Sequence, residues 1–303
     1  MRAVLVGEPM LELSRSGEDW RLGYGGDTLN TAIHLARLGL DTAYLTAIGG
    51  DPLSAGLCDA WRAEGLDCRF VLTDPARTTG LYAISTDAAG ERSFSYWRDT
   101  SAARATFAHP GVDAALREAG STELLAFSLI SLAILPDEGR EALLNLAQCV
   151  RANGGRVAFD GNYRARLWPD PATARHWRDR AIACADIGLP TLEDEQAMGA
   201  SDVAGVAAHW QSLGCMETAV KLGEHGCLLA DGTLVAPPRV LQPVDTSGAG
   251  DAFNAGYLAA RLNGVGLVDA ALAGHDLAGW CVMHRGAIPP GSPNILQEST
   301  KTP

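Results

Sequence analysis

Short apolar segments with strand character alternate with longer segments of helical character along most of this chain. Such alternation demands helices packed on both faces of a mostly parallel sheet, an α/β architecture. Val4–Val6 is continuously apolar, as a strand buried on both faces should be. A helix is expected over about 28–38, ending before Gly39, then a strand over Thr42–Ile48 and a helix over Ser54–Glu64. Further on, the pattern predicts a strand at Leu124–Phe127 and a helix over Asp137–Asn153, stopped by Gly154 and Gly155. A strand over Arg156–Phe159 ends at Asp160, and Ala172–Cys184 is a helix. Ile187–Leu189, Thr218–Lys221 and Cys227–Ala230 read as strands, and helices at about 250–262 and 267–284 complete the series. The 303 residues, 47% of them hydrophobic, suit one large domain, alone or with a small appendage.

One region breaks the rhythm. Gly80–Thr86 and Arg92–Arg98 alternate with period two, joined by turn chemistry at Asp87–Glu91. This predicts an antiparallel hairpin, which with residues around 11–24 and 67–73 makes a small sheet. Residues from about Gly291 onward read as a loose polar tail.

The formal net charge of −12 argues against nucleic acid or an anionic membrane as partner. An anionic substrate would therefore depend on locally placed arginines. Seven cysteines, with no CxxC pair, read as free thiols in a reducing compartment. The opening residues are too short for a signal h-region, and no apolar run reaches membrane-spanning length. A cytoplasmic location is the expectation.

Two segments carry the chemistry. Asp245-Thr-Ser-Gly-Ala-Gly-Asp-Ala-Phe253 leads small residues and a carboxylate into a helix. Gly248, Ala249 and Gly250 lie where unpaired N–H groups and the positive end of the helix dipole converge, which makes an anion site. Asp251, in the first turn, can take a proton from an incoming hydroxyl. The bland alternative is an ordinary helix start with Asp251 as dipole partner. Near the other end, Gly25-Gly26-Asp27-Thr28-Leu29-Asn30 opens a second helix. Paired glycines let a ligand approach the backbone, and Asp27 and Asn30 can bind sugar hydroxyls. Tyr82, Tyr96 and Arg98 stand on the hairpin, with Tyr96 and Arg98 on one face. Arg164 follows a strand end in Asp160-Gly-Asn162-Tyr-Arg164, where α/β proteins bind ligands. Two guanidinium forks aimed at one cleft suit a carboxylate, which a neutral sugar does not need. Cross-strand packing for the tyrosines and surface pairing for the arginines are the alternatives.

Together, Gly25–Asn30 and Asp245–Phe253 resemble the two signatures of the ribokinase-like, or PfkB, carbohydrate kinases, over nearly the whole chain. The resemblance implies a three-layer α/β/α fold with a mostly parallel sheet over residues 1–303. It also implies a small β-sheet lid from about 11–24 and 67–100, which often serves as the contact in a homo-oligomer. Gly80-Leu-Tyr82, Tyr96-Trp-Arg98, Ile130–Leu135, Asn162-Tyr-Arg164 and Arg285–Ile288 narrow the likeness to the kinases of 2-keto-3-deoxygluconate. The implied reaction moves a phosphoryl group from ATP to the sugar acid's terminal hydroxyl. Asp251 would be the base and Gly248, Ala249 and Gly250 the anion hole. Gly26, Asp27, Asn30, Tyr82, Tyr96, Arg98 and Arg164 would hold the acid. Asn162, Arg164, Lys221, Gly223, Gly226 and His275 would lie along the nucleotide. Magnesium is implied too, although the family's Asn-x-x-Glu is Thr191-Leu-Glu-Asp194 here, which leaves Asp194 as the expected organiser of its water shell. The chain lacks a Gly-x-x-x-x-Gly-Lys-Ser/Thr motif and is not a P-loop enzyme. A related fructokinase and a catalytically silent sugar-acid sensor are the rival readings.

Overall fold

The computed structural model describes residues 1–16, 19–86 and 92–291. In chain order the first half comprises β1 (Ala3–Val6), β2 (Met10–Ser16), β3 (Asp19–Gly25), α1 (Asp27–Arg37), β4 (Thr42–Gly49) and α2 (Leu57–Ala63). Then come β5 (Val71–Asp74), β6 (Gly80–Thr86), β7 (Arg92–Trp97), α3 (Val112–Ala119), β8 (Leu124–Ser128), α4 (Leu129–Ile134) and α5 (Asp137–Ala152). The second half runs β9 (Arg156–Asp160), α6 (Pro171–Cys184), β10 (Ile187–Gly188), α7 (Leu192–Ala197), α8 (Val203–Ser212) and β11 (Glu217–Lys221). It closes with β12 (Cys227–Leu229), β13 (Leu234–Val235), α9 (Ala249–Leu262) and α10 (Leu267–Val282).

A nine-stranded sheet has the order β13-β12-β11-β10-β9-β8-β1-β4-β5. Its pairs from β11 through to β5 are parallel, while β11, β12 and β13 pair antiparallel at one edge. The continuous apolar strands follow from burial on both faces. Val4 and Val6 enter one core with α3, α4, α5, α6 and α8. Ala3 and Leu5 enter the other, with α1, α2, α9 and α10. Three layers result, as the alternation of segments required. No helix among the described residues is long and apolar enough to cross a membrane.

A second, four-stranded sheet has the order β3-β2-β6-β7. The expected hairpin is present as β6 and β7, with Tyr82 opposite Tyr96. Its turn at Asp87–Glu91 and the tail beyond Gly291 lie outside the described residues. Residues 67–73 do not join this sheet as expected. Val71–Asp74 instead pairs parallel with β4 at the edge of the large sheet. Short edge strands carry little periodicity, so only the pairing partner settles which sheet they enter.

Candidate active site

A cleft of about 770 Å³ lies between the C-terminal ends of the parallel strands and the inner face of the small sheet. The location follows from topology, because strand ends and helix starts meet there.

β9 ends at Asp160 and β11 at Lys221. Lys221 Nζ donates to Asp160 Oδ1 at 3.1 Å and to Asn254 Oδ1 at 3.0 Å. Asn254 Nδ2 returns a hydrogen bond to Asp160 Oδ2 at 2.9 Å. This closed network fixes the ammonium beside the first turn of α9, where a Cβ on Gly250 would stand 3.8 Å from Nζ. The helix opens on Gly248, whose φ of 71° is left-handed and whose added Cβ would lie 2.5 Å from the Ala287 Cβ. The N–H groups of Gly248, Gly250 and Asp251 have no backbone acceptor among the described residues. Asp245 fixes the loop by accepting the Ser247 N–H at 3.0 Å and the Gly286 N–H at 2.8 Å. Free N–H groups, a helix dipole and a fixed ammonium converge on one point, which is a phosphate-sized anion site.

Asp251 stands on its rim. Asn30 Nδ2 donates to Asp251 Oδ2 at 2.8 Å, and Thr31 Oγ1 to the Asp251 carbonyl at 3.2 Å. Burial pushes the Asp251 carboxyl up to about 8, and the Asp27 carboxylate adds to the rise. The Asn30 hydrogen bond and the Lys221 charge pull the other way. A carboxyl raised in this way suits the role of a general base.

On the opposite wall, Gly26 has φ 137°, and a Cβ would come within 2.4 Å of the Glu8 carbonyl oxygen. Glycine is therefore required where α1 begins. Asp27 accepts from Asn162 Nδ2 at 3.2 Å, and burial raises its carboxyl pKa. The Asn30 Oδ1 is buried with no partner. Tyr82, Phe94 and Tyr96 form an aromatic wall, with the Tyr82 and Tyr96 ring centres 6.0 Å apart. The Arg166 guanidinium sits 3.5 Å from the Tyr96 ring centre, a cation–π contact on the wall. Tyr82 donates its hydroxyl hydrogen to Glu12.

Arg164 lines the cleft, donating to the Tyr163 carbonyl at 2.7 Å and to Asp194 Oδ1 at 3.3 Å. Burial raises the Asp194 carboxyl, and the Arg164 charge offsets part of the rise. Glu195, the neighbouring acid, is buried and held by Arg178 at 2.6 Å and the Trp210 Nε1–H at 3.0 Å.

Gly248, Ala249, Gly250, Asp251, Gly26, Asp27, Asn30, Tyr82, Tyr96, Asn162, Arg164, Asp194, Lys221 and Gly223 all line the one cleft. Three expected residues do not. Arg98 is only 9% exposed and forms a buried ion pair with Glu8, which also accepts from Ser101 Oγ at 2.5 Å. Its strand ends at Trp97, so the alternation that paired Arg98 with Tyr96 stops one residue short. His275 is buried against Phe253, with ring centres 5.0 Å apart, and its Nε2 lies 3.0 Å from the Val235 carbonyl oxygen. Gly226 serves the turn before β12. At its φ of 100° a Cβ would stand 2.1 Å from the Val235 carbonyl oxygen. Sequence reasoning missed Glu12, Phe94, Arg21 and Asn254. Period two placed Phe94 beside Tyr96, and helical spacing placed Asn254 one turn after Asp251, so both signals were present.

A doubly covered parallel sheet, an anion-receiving helix at its C-terminal edge and a β-sheet over the cleft define a small-molecule kinase that works without a P-loop. Residues 5–295 match the pfkB family of carbohydrate kinases, and the chain belongs to that family. It is 42% identical to the 2-dehydro-3-deoxygluconokinase of Escherichia coli K12 over 95% of this chain and 97% of that one. It is 40% identical to the Dickeya dadantii enzyme of the same name, over 94% and 96%. The crystal structure of a PfkB protein from Polaromonas sp. JS666 superposes with a TM-score of 0.83 at 29% identity, covering 95% of this chain and 97% of that one.

Proposed function

We propose that this chain phosphorylates the terminal hydroxyl of 2-keto-3-deoxy-D-gluconate at the expense of ATP. The observation that carries the reading is the Asn30–Asp251 hydrogen bond. It ties the Asp251 carboxylate at the start of α9 to the start of α1, which supports reading Asp251 as the base between phosphate and sugar. The near-full-length likeness to named 2-dehydro-3-deoxygluconokinases supports the substrate.

Asp251 removes the hydroxyl proton, and Asp27 and the unpaired Asn30 Oδ1 orient the substrate's hydroxyls. The Gly248, Gly250 and Asp251 N–H groups, with Lys221, stabilise charge on the transferring phosphoryl, whereas the Ala249 N–H, expected among them, is bonded to the Thr246 carbonyl at 3.3 Å. Asn162 and Gly223 line the nucleotide's side. Arg164 faces the anions from beside Asp194. The lining fits magnesium held through water: Asp160, Glu193 and Asp194 share the cleft, while no group of three His, Cys, Asp or Glu among the described residues forms a cage. When bound, that ion neutralises charge on the β and γ phosphates.

A fructokinase would bind a neutral ketose in the same cleft, and a sensor would not need the fixed lysine and anion hole. Measuring ADP release over a panel of sugars and sugar acids tests the reading. Higher kcat/KM for fructose than for the keto acid would sink it.

We also propose a homo-oligomer joined through the small sheet. Trp20, Leu22 and Trp97 are 49, 50 and 60% exposed there. Light scattering that gives a monomer at micromolar concentration would exclude it. The seven cysteines, all free, suit a reducing, cytoplasmic setting.

A further inference from the structure

The register of the small sheet sorts its side chains onto two faces. Met10, Glu12 and Ser14 pair with Gly25, Gly23 and Arg21, and Glu12 pairs with Tyr82 on the other side. Directly paired residues share a face. Arg21 therefore shares the aromatic, cleft-facing side with Tyr82 and Tyr96, and it lines the cleft. Arg15 pairs with Trp20, so register sets its backbone position on the outer face, although its side chain also lines the cleft and engages another group.

Of the three other lining arginines, Arg164 and Arg285 stand on the side of the cleft that holds the anion loop. Arg164 is tied to Asp194, and Arg285 precedes Gly286, whose N–H is held by the anion loop's Asp245. Arg21 makes no ion pair or hydrogen bond through its side chain among the described residues. Its pair, Arg21 and Ser14, lies four residues outward from Gly25, where the sugar-binding helix is about to begin. Four residues of strand span roughly 13 Å. An arginine side chain can cover about half that distance, and Arg21 lines the same cleft as Asp251. The expected partner for that end, Arg98, is buried against Glu8 and outside the lining.

We propose that Arg21 is a specificity-determining residue that receives the substrate's carboxylate on the lid side of the cleft. The proposal rests on the sugar-acid reading above.

The test compares wild type, Arg21→Ala and Arg21→Lys with 2-keto-3-deoxygluconate and with the corresponding neutral 3-deoxyketohexose. Arg21→Ala should lower kcat/KM for the acid about 10- to 100-fold, mainly through KM, and leave the neutral sugar and the KM for ATP within twofold. Arg21→Lys should lose less, since it keeps the charge and loses only the fork. Unchanged acid kinetics in Arg21→Ala, or equal losses on both substrates, would overturn the assignment. Those outcomes leave the sugar-acid reading standing, whereas a wild type that prefers the neutral sugar would overturn both.

Discussion

Asn30 donates to the Asp251 carboxylate across 2.8 Å, joining the first turn of the N-terminal helix to that of a helix more than two hundred residues later. Its Oδ1 is left buried and unpaired. An unsatisfied buried acceptor costs roughly 1–3 kcal/mol, and a substrate hydroxyl is the group that relieves it. Asn30→Ala should therefore raise KM for the sugar acid about tenfold and lower kcat through a looser Asp251. Steady-state kinetics with both substrates varied would show this, and an unchanged KM would remove Asn30 from the sugar site.

Asp251→Asn should reduce kcat ~10²–10⁴-fold, the usual contribution of a positioned base. It should also stabilise the protein as pH rises. The folded pKa of about 8 lies above the ordinary aspartate value of 3.8. Wild type thus has its full stability below the unfolded value and loses it progressively as pH climbs to the folded one. The variant does not titrate, so its advantage should grow by roughly 2–3 kcal/mol between pH 5.5 and pH 8.5. Urea unfolding at the two pH values measures it, and a pH-independent difference would contradict the assigned pKa.

Much of this site was legible along the chain, and the reasons are local. A helix start declares itself through glycines and a cap, so Gly248–Asp251 and Gly26–Asn30 could be placed together by their chemistry. Lys221 and Asn162 sit at strand ends, and strand ends face the cleft in this architecture. What stayed hidden depends on distant partners. Glu8 lies 90 residues from Arg98, and nothing near Arg98 reveals that a buried carboxylate will hold it. The role of His275 turns on Phe253 and the Val235 carbonyl, neither of which is near it in sequence. Membership of β5 in the large sheet is likewise a matter of which strand lies beside it.

The acid limb of kcat/KM should follow Asp251 and fall below about pH 8. Asp27 is the largest electrostatic contributor to that raised value, after burial. Asp27→Asn removes the repulsion, so the limb should move to lower pH even as KM for the sugar rises. A pH–rate profile with an unmoved acid limb would show that the titrating group is not Asp251.

Gly248→Ala and Gly250→Ala should separate folding from chemistry. At Gly248 the left-handed backbone and the 2.5 Å approach to Ala287 leave no room for a methyl group. That change should cost roughly 1–3 kcal/mol of stability and most activity. At Gly250 a Cβ meets only Lys221 Nζ, at 3.8 Å. Stability should hold there, while KM for ATP rises because the methyl group enters the anion site. Equal melting temperatures for the two variants would contradict the difference in backbone strain.

Arg98 and Arg164 should behave as different kinds of residue, although both read alike in the sequence. Arg98 neutralises Glu8 inside the protein, and removal of one partner of a buried pair leaves an uncompensated charge that costs roughly 3–5 kcal/mol. Arg98→Ala should therefore lower the unfolding midpoint markedly. Glu8→Gln with Arg98→Met, which removes both charges, should recover much of the loss. Arg164 is half-exposed and only loosely tied to Asp194, at 3.3 Å. Arg164→Ala should leave stability within about 0.5 kcal/mol, as exposed pairs contribute little. Its effect should appear in kinetics, and the pattern identifies the anion it serves. A loss confined to the keto acid assigns it to the carboxylate, and equal losses on acid and neutral sugar assign it to the phosphates. The side chain's place beside Asp194, where magnesium's water shell is expected, favours the phosphates. Equal destabilisation by Arg98→Ala and Arg164→Ala would mean that the buried Glu8 pair contributes no more than the half-exposed Asp194 pair.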